Sequence, residues 1–149
     1  MIKKLILLVL FTTYLFSNGF EVNKKLSNFT LVNQFDKTHT VTSDTKTIIV
    51  SFEKGTGADI NEFLSKKPKD FLQKNQAVFI ANISGMPSII TSMFALPKMR
   101  KYKHNILLIY DGDDKRFIQK DDYSTLYKLE NGVIKSISYI NKEDLEKSF

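Results

Sequence analysis

The 149-residue sequence contains no cysteine. Disulfides, thiolate metal ligands and any reaction through a thiol nucleophile are therefore excluded, as is the lipid that a bacterial lipoprotein carries on a cysteine at its cleavage site. Histidine is nearly as scarce, with only His39 and His104. Serines are plentiful, but neither a GxSxG elbow nor an HExxH pair is present to organise a nucleophile or a zinc ion. Six glycines and three prolines are too few to build a linker or a low-complexity tract, so one domain is expected. The charge is mildly basic, 22 Lys and Arg against 16 Asp and Glu, without the long Lys/Arg blocks of a nucleic-acid binder, and no nucleic-acid partner is expected.

What is present begins with Met1 to Gly19, which has a basic start (Lys3, Lys4), an apolar run from Leu5 to Phe16 and a small-residue exit at Ser17-Asn18-Gly19. That three-part form is a secretory signal peptide, with cleavage expected after Gly19. The apolar run is interrupted by Thr12 and Thr13 and is shorter than the roughly 20 residues that a membrane-spanning helix needs. The mature chain from Phe20 to Phe149 is then periplasmic or secreted. Losing Lys3 and Lys4 leaves 20 basic against 16 acidic residues, a formal charge of +4. In an oxidising compartment such a chain holds together by packing alone, and its length suffices for a real core.

Strand and helix patterns alternate along this stretch. FTLVN from Phe29 and THTVT from Thr38 flank a polar QFDK segment and read as a hairpin. KTIIVSF from Lys46, AVFIANI from Ala77 and NILLIYD from Asn105 are apolar and β-branched, as buried central strands are. Between them lie helical spacings, first Ile60, Phe63 and Leu64 with a second apolar set at Phe71 and Leu72, then Ile89, Ile90, Met93 and Phe94 after Pro87 in the first turn. Pro97 is expected to end or kink that helix. STLYKLE and VIKSISYI bracket Asn131-Gly132, a strong hairpin signal, and a short helix capped by Asn141 is expected over Lys142 to Ser148.

This order predicts an α/β three-layer sandwich with a mixed central sheet, an N-terminal β-hairpin and a C-terminal β-hairpin plus helix. The opening FTLVNQFDKTHTV, TIIVSF running into a helix, AVFIANI, NILLIYD and the STLYKLENGVIKSI hairpin together resemble the peroxiredoxin, TlpA and SCO branch of the thioredoxin-like superfamily. The resemblance covers essentially all of residues 20–149. It implies a reactive cysteine in the loop after the first central strand, where this chain has EKGTGAD from Glu53 to Asp59, and a cis-proline before the hairpin strand, where it has QKDDYS from Gln119 to Ser124. Both parts of the redox site are missing. Thiol-disulfide exchange, thiol peroxidase activity and copper delivery through paired cysteines are accordingly not carried over.

Three features remain as candidates. Gly55-Thr56-Gly57, expected in a loop between strand and helix, offers backbone N–H groups to a small anion. It lacks the third glycine of a dinucleotide fingerprint and the Gly-Lys-Ser/Thr of a phosphate loop, so no flavin, nicotinamide or other cofactor is expected. Met86, Met93 and Met99 with His104 are a ligand set that suits Cu(I), and Met86 and Met93, seven residues apart, are expected on one helical face, although the same spacing suits core filling. Lys98, Arg100, Lys101, Lys103 and His104, with Tyr102 expected exposed among them, form a dense basic segment opposite Asp111, Asp113, Asp114, Asp121 and Asp122. That segment could meet a protein partner in the cell envelope or an anionic lipid surface. His39 reads as a cross-strand surface residue. The reading that combines these is a non-redox binding or scaffold module, with Gly55, Thr56, Gly57, Lys98, Arg100, Lys101, Tyr102 and Lys103 as contact residues. The alternatives are a Met/His copper carrier and a non-redox enzyme or small-anion binder.

Overall fold

The structure is a computed structural model that describes residues 19–149. The leader expected over residues 1–19 lies, but for Gly19, outside the described residues. Seven strands form one sheet: β1 (Phe29–Asn33), β2 (Thr38–Val41), β3 (Thr47–Ser51), β4 (Ala77–Asn82), β5 (Leu107–Ile109), β6 (Ser124–Glu130) and β7 (Val133–Ile140). Their spatial order is β2-β1-β5-β4-β3-β6-β7, with β3, β4 and β5 parallel and the flanking strands antiparallel. After β3 come α1 (Lys54–Ser65) and the single turn α2 (Phe71–Lys74). After β4 come α3 (Ser88–Ile90), a π-helical turn (Thr91–Ala95) and α4 (Leu96–Met99), which run on without a break. A 3-10 helix (Lys142–Lys147) closes the chain.

The three central strands are buried on both faces because both are covered, which is why they read as unbroken apolar runs. Alternation sends Ile48, Val50, Val78, Ile80, Leu107 and Ile109 to one side, where Leu26, Phe29, Phe117 and Tyr127 pack on them. Extended chain covers this side: Phe20 meets Phe117 edge-on at 5.0 Å, and the Tyr127 hydroxyl accepts the Ile118 N–H at 2.8 Å. Ile49, Phe79, Ala81, Leu108 and Leu126 face the helices and meet Ile60, Leu64, Leu72 and Leu145, with Leu96 and Met99 packed alongside. Each buried Val, Leu, Ile or Phe among them contributes about 1.5–3 kcal/mol through burial.

Local expectations hold at the turns. Asn131 and Gly132 have φ of 51° and 78°, the left-handed pair that a two-residue hairpin turn requires. A Cβ on Gly132 would also come within 2.9 Å of the Ser43 Cβ. The Asn141 side chain caps the final helix in a reciprocal capping box with Asp144. Pro97 does not end the helix. The wider π turn directly before it takes up the residue whose regular pairing a proline disrupts, and the helix continues to Met99.

β5 is three residues long rather than the full NILLIYD segment. On its N-terminal side a side chain replaces the ladder. Gln34, fully buried after β1, accepts the Ile106 N–H at 2.9 Å and donates to the His104 carbonyl at 2.8 Å, while its own carbonyl accepts from Arg100 Nε at 2.8 Å. His104 continues the network into α1, since its Nε2 lies 2.8 Å from Asn61 Oδ1 and so carries the proton that it donates. Its Nδ1 is buried without a partner among the described residues, and the ring stacks on Tyr102 at 5.2 Å.

Replacing Gln34 with Met keeps its shape but strands a buried N–H and a buried carbonyl. Urea unfolding should show Gln34→Met destabilised by about 2–4 kcal/mol, and an unchanged midpoint would refute the bridging role. Burial holds His104 neutral, lowering its pKa from 6.5 to about 4. Between those pH values the unfolded chain takes up a proton that the folded chain does not, so this stabilisation is complete above pH 6.5 and is lost as the pH falls toward 4. The loss is on the order of 3 kcal/mol. Comparing the protein with His104→Gln at pH 7.5 and 4.5 should show a weaker acid dependence in the variant.

Candidate functional site

The carboxyl ends of parallel strands are where neighbouring connections diverge and leave a crevice. Here β3 turns through Phe52 and Glu53 into α1, and β4 leaves through Ile83 and Gly85 toward Pro87 and the helix of residues 88–99. Between them lies a cavity of about 570 Å³. Ile83, Met86, Ile90, Phe94 and Met99 supply its apolar walls, with Tyr102 behind and Lys54, Lys98 and Glu53 among its polar groups. A larger depression of about 840 Å³ lies at the opposite, amino ends of β4 and β5, lined by His39, Thr40, Asp44, Gln73 and Lys103. Hydrophilic side chains supply much of its wall, and the exposed apolar stretch of residues 89–94 does not line it.

The helix beside the cavity presents apolar side chains to solvent. Ile90, Phe94 and Lys98 follow at i, i+4 and i+8 and all line the cavity. Ile89, Met93 and Phe94 are 62%, 60% and 64% exposed, and Ile90 is 42% exposed. Their spacing reads as a core-facing stripe, yet the position this helix buries is Thr91, whose hydroxyl donates to the Pro87 carbonyl at 3.2 Å. The inward packing is instead made by Met86 before the helix and by Leu96 and Met99 at its end. A single sequence gives spacing but not the direction in which an apolar face points.

Charge at the cavity is unbalanced. Lys54 and Lys98 are exposed and have no ion pair among the described residues, whereas Lys66, Lys67, Lys74, Arg100, Arg116 and Lys142 each have one. The carboxylate in the wall, Glu53, accepts the Asp122 N–H at 3.3 Å. Helix α1 has no side-chain capping hydrogen bond and no acidic residue in its first turn, and Glu53 at its N-cap position brings the one negative charge next to its positive end. Two other polar groups are already engaged: Asn61 Oδ1 by His104, and Asn82 Oδ1 by the Ser84 hydroxyl at 2.6 Å and its N–H at 3.1 Å.

Several sequence expectations are corrected by this arrangement. Gly55, Thr56 and Gly57 do not form a loop but lie in the first turn of α1, between Lys54 and Ala58, which line the cavity. Gly57 allows that turn to approach β3, since a Cβ there would lie 3.2 Å from the Ser51 hydroxyl. Met86 and Met93 do not share a helical face, because Met86 precedes the helix. Met86 and Met99 line the cavity together, but Met93 is out in solvent and His104 is buried against Asn61, so the four are not brought together. Among the described residues no group of three or more His, Asp or Glu is placed to hold a metal ion.

The basic segment is also divided. Lys98 joins the cavity, Arg100 binds the Gln34 carbonyl and Asp36, and Lys101 and Lys103 line other depressions. His104 contributes no charge at neutral pH, and Tyr102 is half-buried rather than exposed because it stacks on that neutral ring. The opposing aspartates do not pair with the segment, and Asp114 is bound by Arg116 at 2.6 Å instead. The displaced carboxyl groups, Glu62 held down by Lys66 and Lys142, and Asp114 held down by Arg116, lie outside the cavity. Ion pairing keeps both ionised and makes them poor proton donors near neutral pH.

Neither a protein-family model nor a curated protein matches the sequence. Solved structures do resemble the fold. A thiol:disulfide interchange protein DsbE from Chlorobium tepidum is 12% identical over 87% of this chain and 96% of its own, with a TM-score of 0.55. StoA from Bacillus subtilis is 15% identical over 81% of this chain and 95% of its own, with a TM-score of 0.54. Peroxidoxin BcpB from Mycobacterium tuberculosis is 10% identical over 87% and 94%, with a TM-score of 0.51. These likenesses bear on fold alone: the described residues have the thioredoxin-like fold, in a chain that has no cysteine.

Proposed function

We propose that this chain is a non-redox binding module of the cell envelope, exported by its leader and receiving its ligand in the cavity at the carboxyl ends of β3 and β4. The supporting observation is the joining of that cavity to an exposed apolar face, Ile89, Ile90, Met93 and Phe94, on two successive helical turns. Contiguous apolar surface of this kind marks a binding site when it borders a formed concavity. The walls offer apolar contact and two unpaired ammonium groups, with no thiol and no free imidazole, which supports binding as the reading.

N-Phenyl-1-naphthylamine, a neutral apolar fluorophore, should bind saturably to the purified protein with a blue-shifted emission. Ile90→Ser combined with Phe94→Ser should weaken that binding at least about ten-fold while lowering the unfolding midpoint only slightly, because Phe94 is mostly in solvent, Ile90 is 42% exposed and neither belongs to the buried core. Absence of saturable binding, or equal binding by the variant, would overturn the reading. For export, the N-terminal residue of protein recovered from the envelope fraction should be Phe20.

A further inference from the structure

Resting on that reading of the cavity, we infer that its ligand is a linear amphipathic anion, an aliphatic chain ending in a carboxylate. The helical wall is graded along its length. Ile90 and Phe94 are followed one turn later by Lys98 on the same face, so about 12 Å of wall passes from apolar to cationic. Lys54 lines the same cavity from the first turn of α1, and neither ammonium has an intramolecular counter-ion among the described residues. The wall carboxylate Glu53 is engaged with the Asp122 N–H, and two cations outnumber it. A cavity of about 570 Å³ falls within the range of small-ligand sites, roughly 300–1,000 Å³.

The polar lining separates this ligand from a peptide. An extended peptide needs partners for its amides along its whole length. The oxygens of Asn61 and Asn82 are taken by His104 and Ser84, so these two side chains offer a peptide backbone amide N–H donors at two points but no open acceptor along the apolar walls. An aliphatic chain needs no such partners, and its single charged end meets Lys54 and Lys98. A bilayer surface fits less well, because Arg100 is tied to Gln34 and Asp36, and Lys101 and Lys103 line other depressions, so Lys98 alone of that segment joins the cavity.

The test is displacement of bound N-phenyl-1-naphthylamine from the purified protein by dodecanoate, dodecanol and dodecyltrimethylammonium, all below micelle-forming concentrations. Dodecanoate should displace the probe at about five- to ten-fold lower concentration than dodecanol, with the cation weakest. Lys54→Gln combined with Lys98→Gln, both at exposed positions, should bring dodecanoate to the level of dodecanol and leave dodecanol unchanged. Equal displacement by all three, with saturable probe binding intact, would overturn the anionic ligand and leave the cavity reading standing, whereas absence of probe binding removes both. If dodecanoate fails to displace the probe but the protein sediments with phosphatidylglycerol vesicles through Ile89 and Met93, the apolar face contacts membranes and the proposal is overturned.

Discussion

The buried amide of Gln34 performs the task of a strand. It pairs with the backbone on either side of Asn105 where β5 has no neighbour to extend its ladder, and it does so from a chain position more than 60 residues away. Through it the N-terminal hairpin and the start of β5 are held in one relation, and the Gln34 main-chain carbonyl adds the Arg100 side chain. Through His104 and Asn61 the same network reaches the second turn of α1. Each of these groups is polar, and most are buried, so the arrangement is satisfied nearly completely or it is costly. The one exception among the described residues is His104 Nδ1, and burial of the ring keeps it neutral.

That constraint shapes the cavity without belonging to its surface. Asn61 lines the cavity and is fixed by a histidine behind it, so the α1 wall is rigidly placed. The facing wall is the π-turned helix, whose inward contacts come from Thr91 and its two ends, leaving the Ile89–Phe94 stretch outside. A chain without disulfides relies on packed apolar area for its stability. Four large apolar side chains, Ile89, Ile90, Met93 and Phe94, stay outside that packed area and contribute little to it.

This chain shares its fold with a thiol:disulfide interchange protein and has no cysteine. The carboxyl-end crevice persists as architecture because it follows from parallel strands with divergent connections, whatever side chains line it. In this chain the crevice is furnished with Ile, Met and Phe on one wall and ammonium groups from both. Architecture of this kind carries no chemistry of its own; the lining supplies it.

How much of this was legible in the residues depended on the range of the interaction. β-Branched runs at 47–51 and 77–82, the Asn131-Gly132 turn and the Asn141 cap were readable because each is a local preference, decided by side-chain shape or backbone freedom within a few residues. The absence of a thiol was equally plain, and it alone ruled out the redox chemistry. Glycines 55 and 57 were misread as a loop because a glycine pair before a helix looks the same whether the helix starts before or after it. Only tertiary structure decided which way residues 89–94 face, since a stripe with helical period is compatible with core or solvent and the packing of Thr91, Leu96 and Met99 chose between them. Tertiary structure likewise decided that Gln34, His104 and Asn61 meet, because hydrogen bonds spanning 43 and 72 residues leave no periodic trace in the sequence.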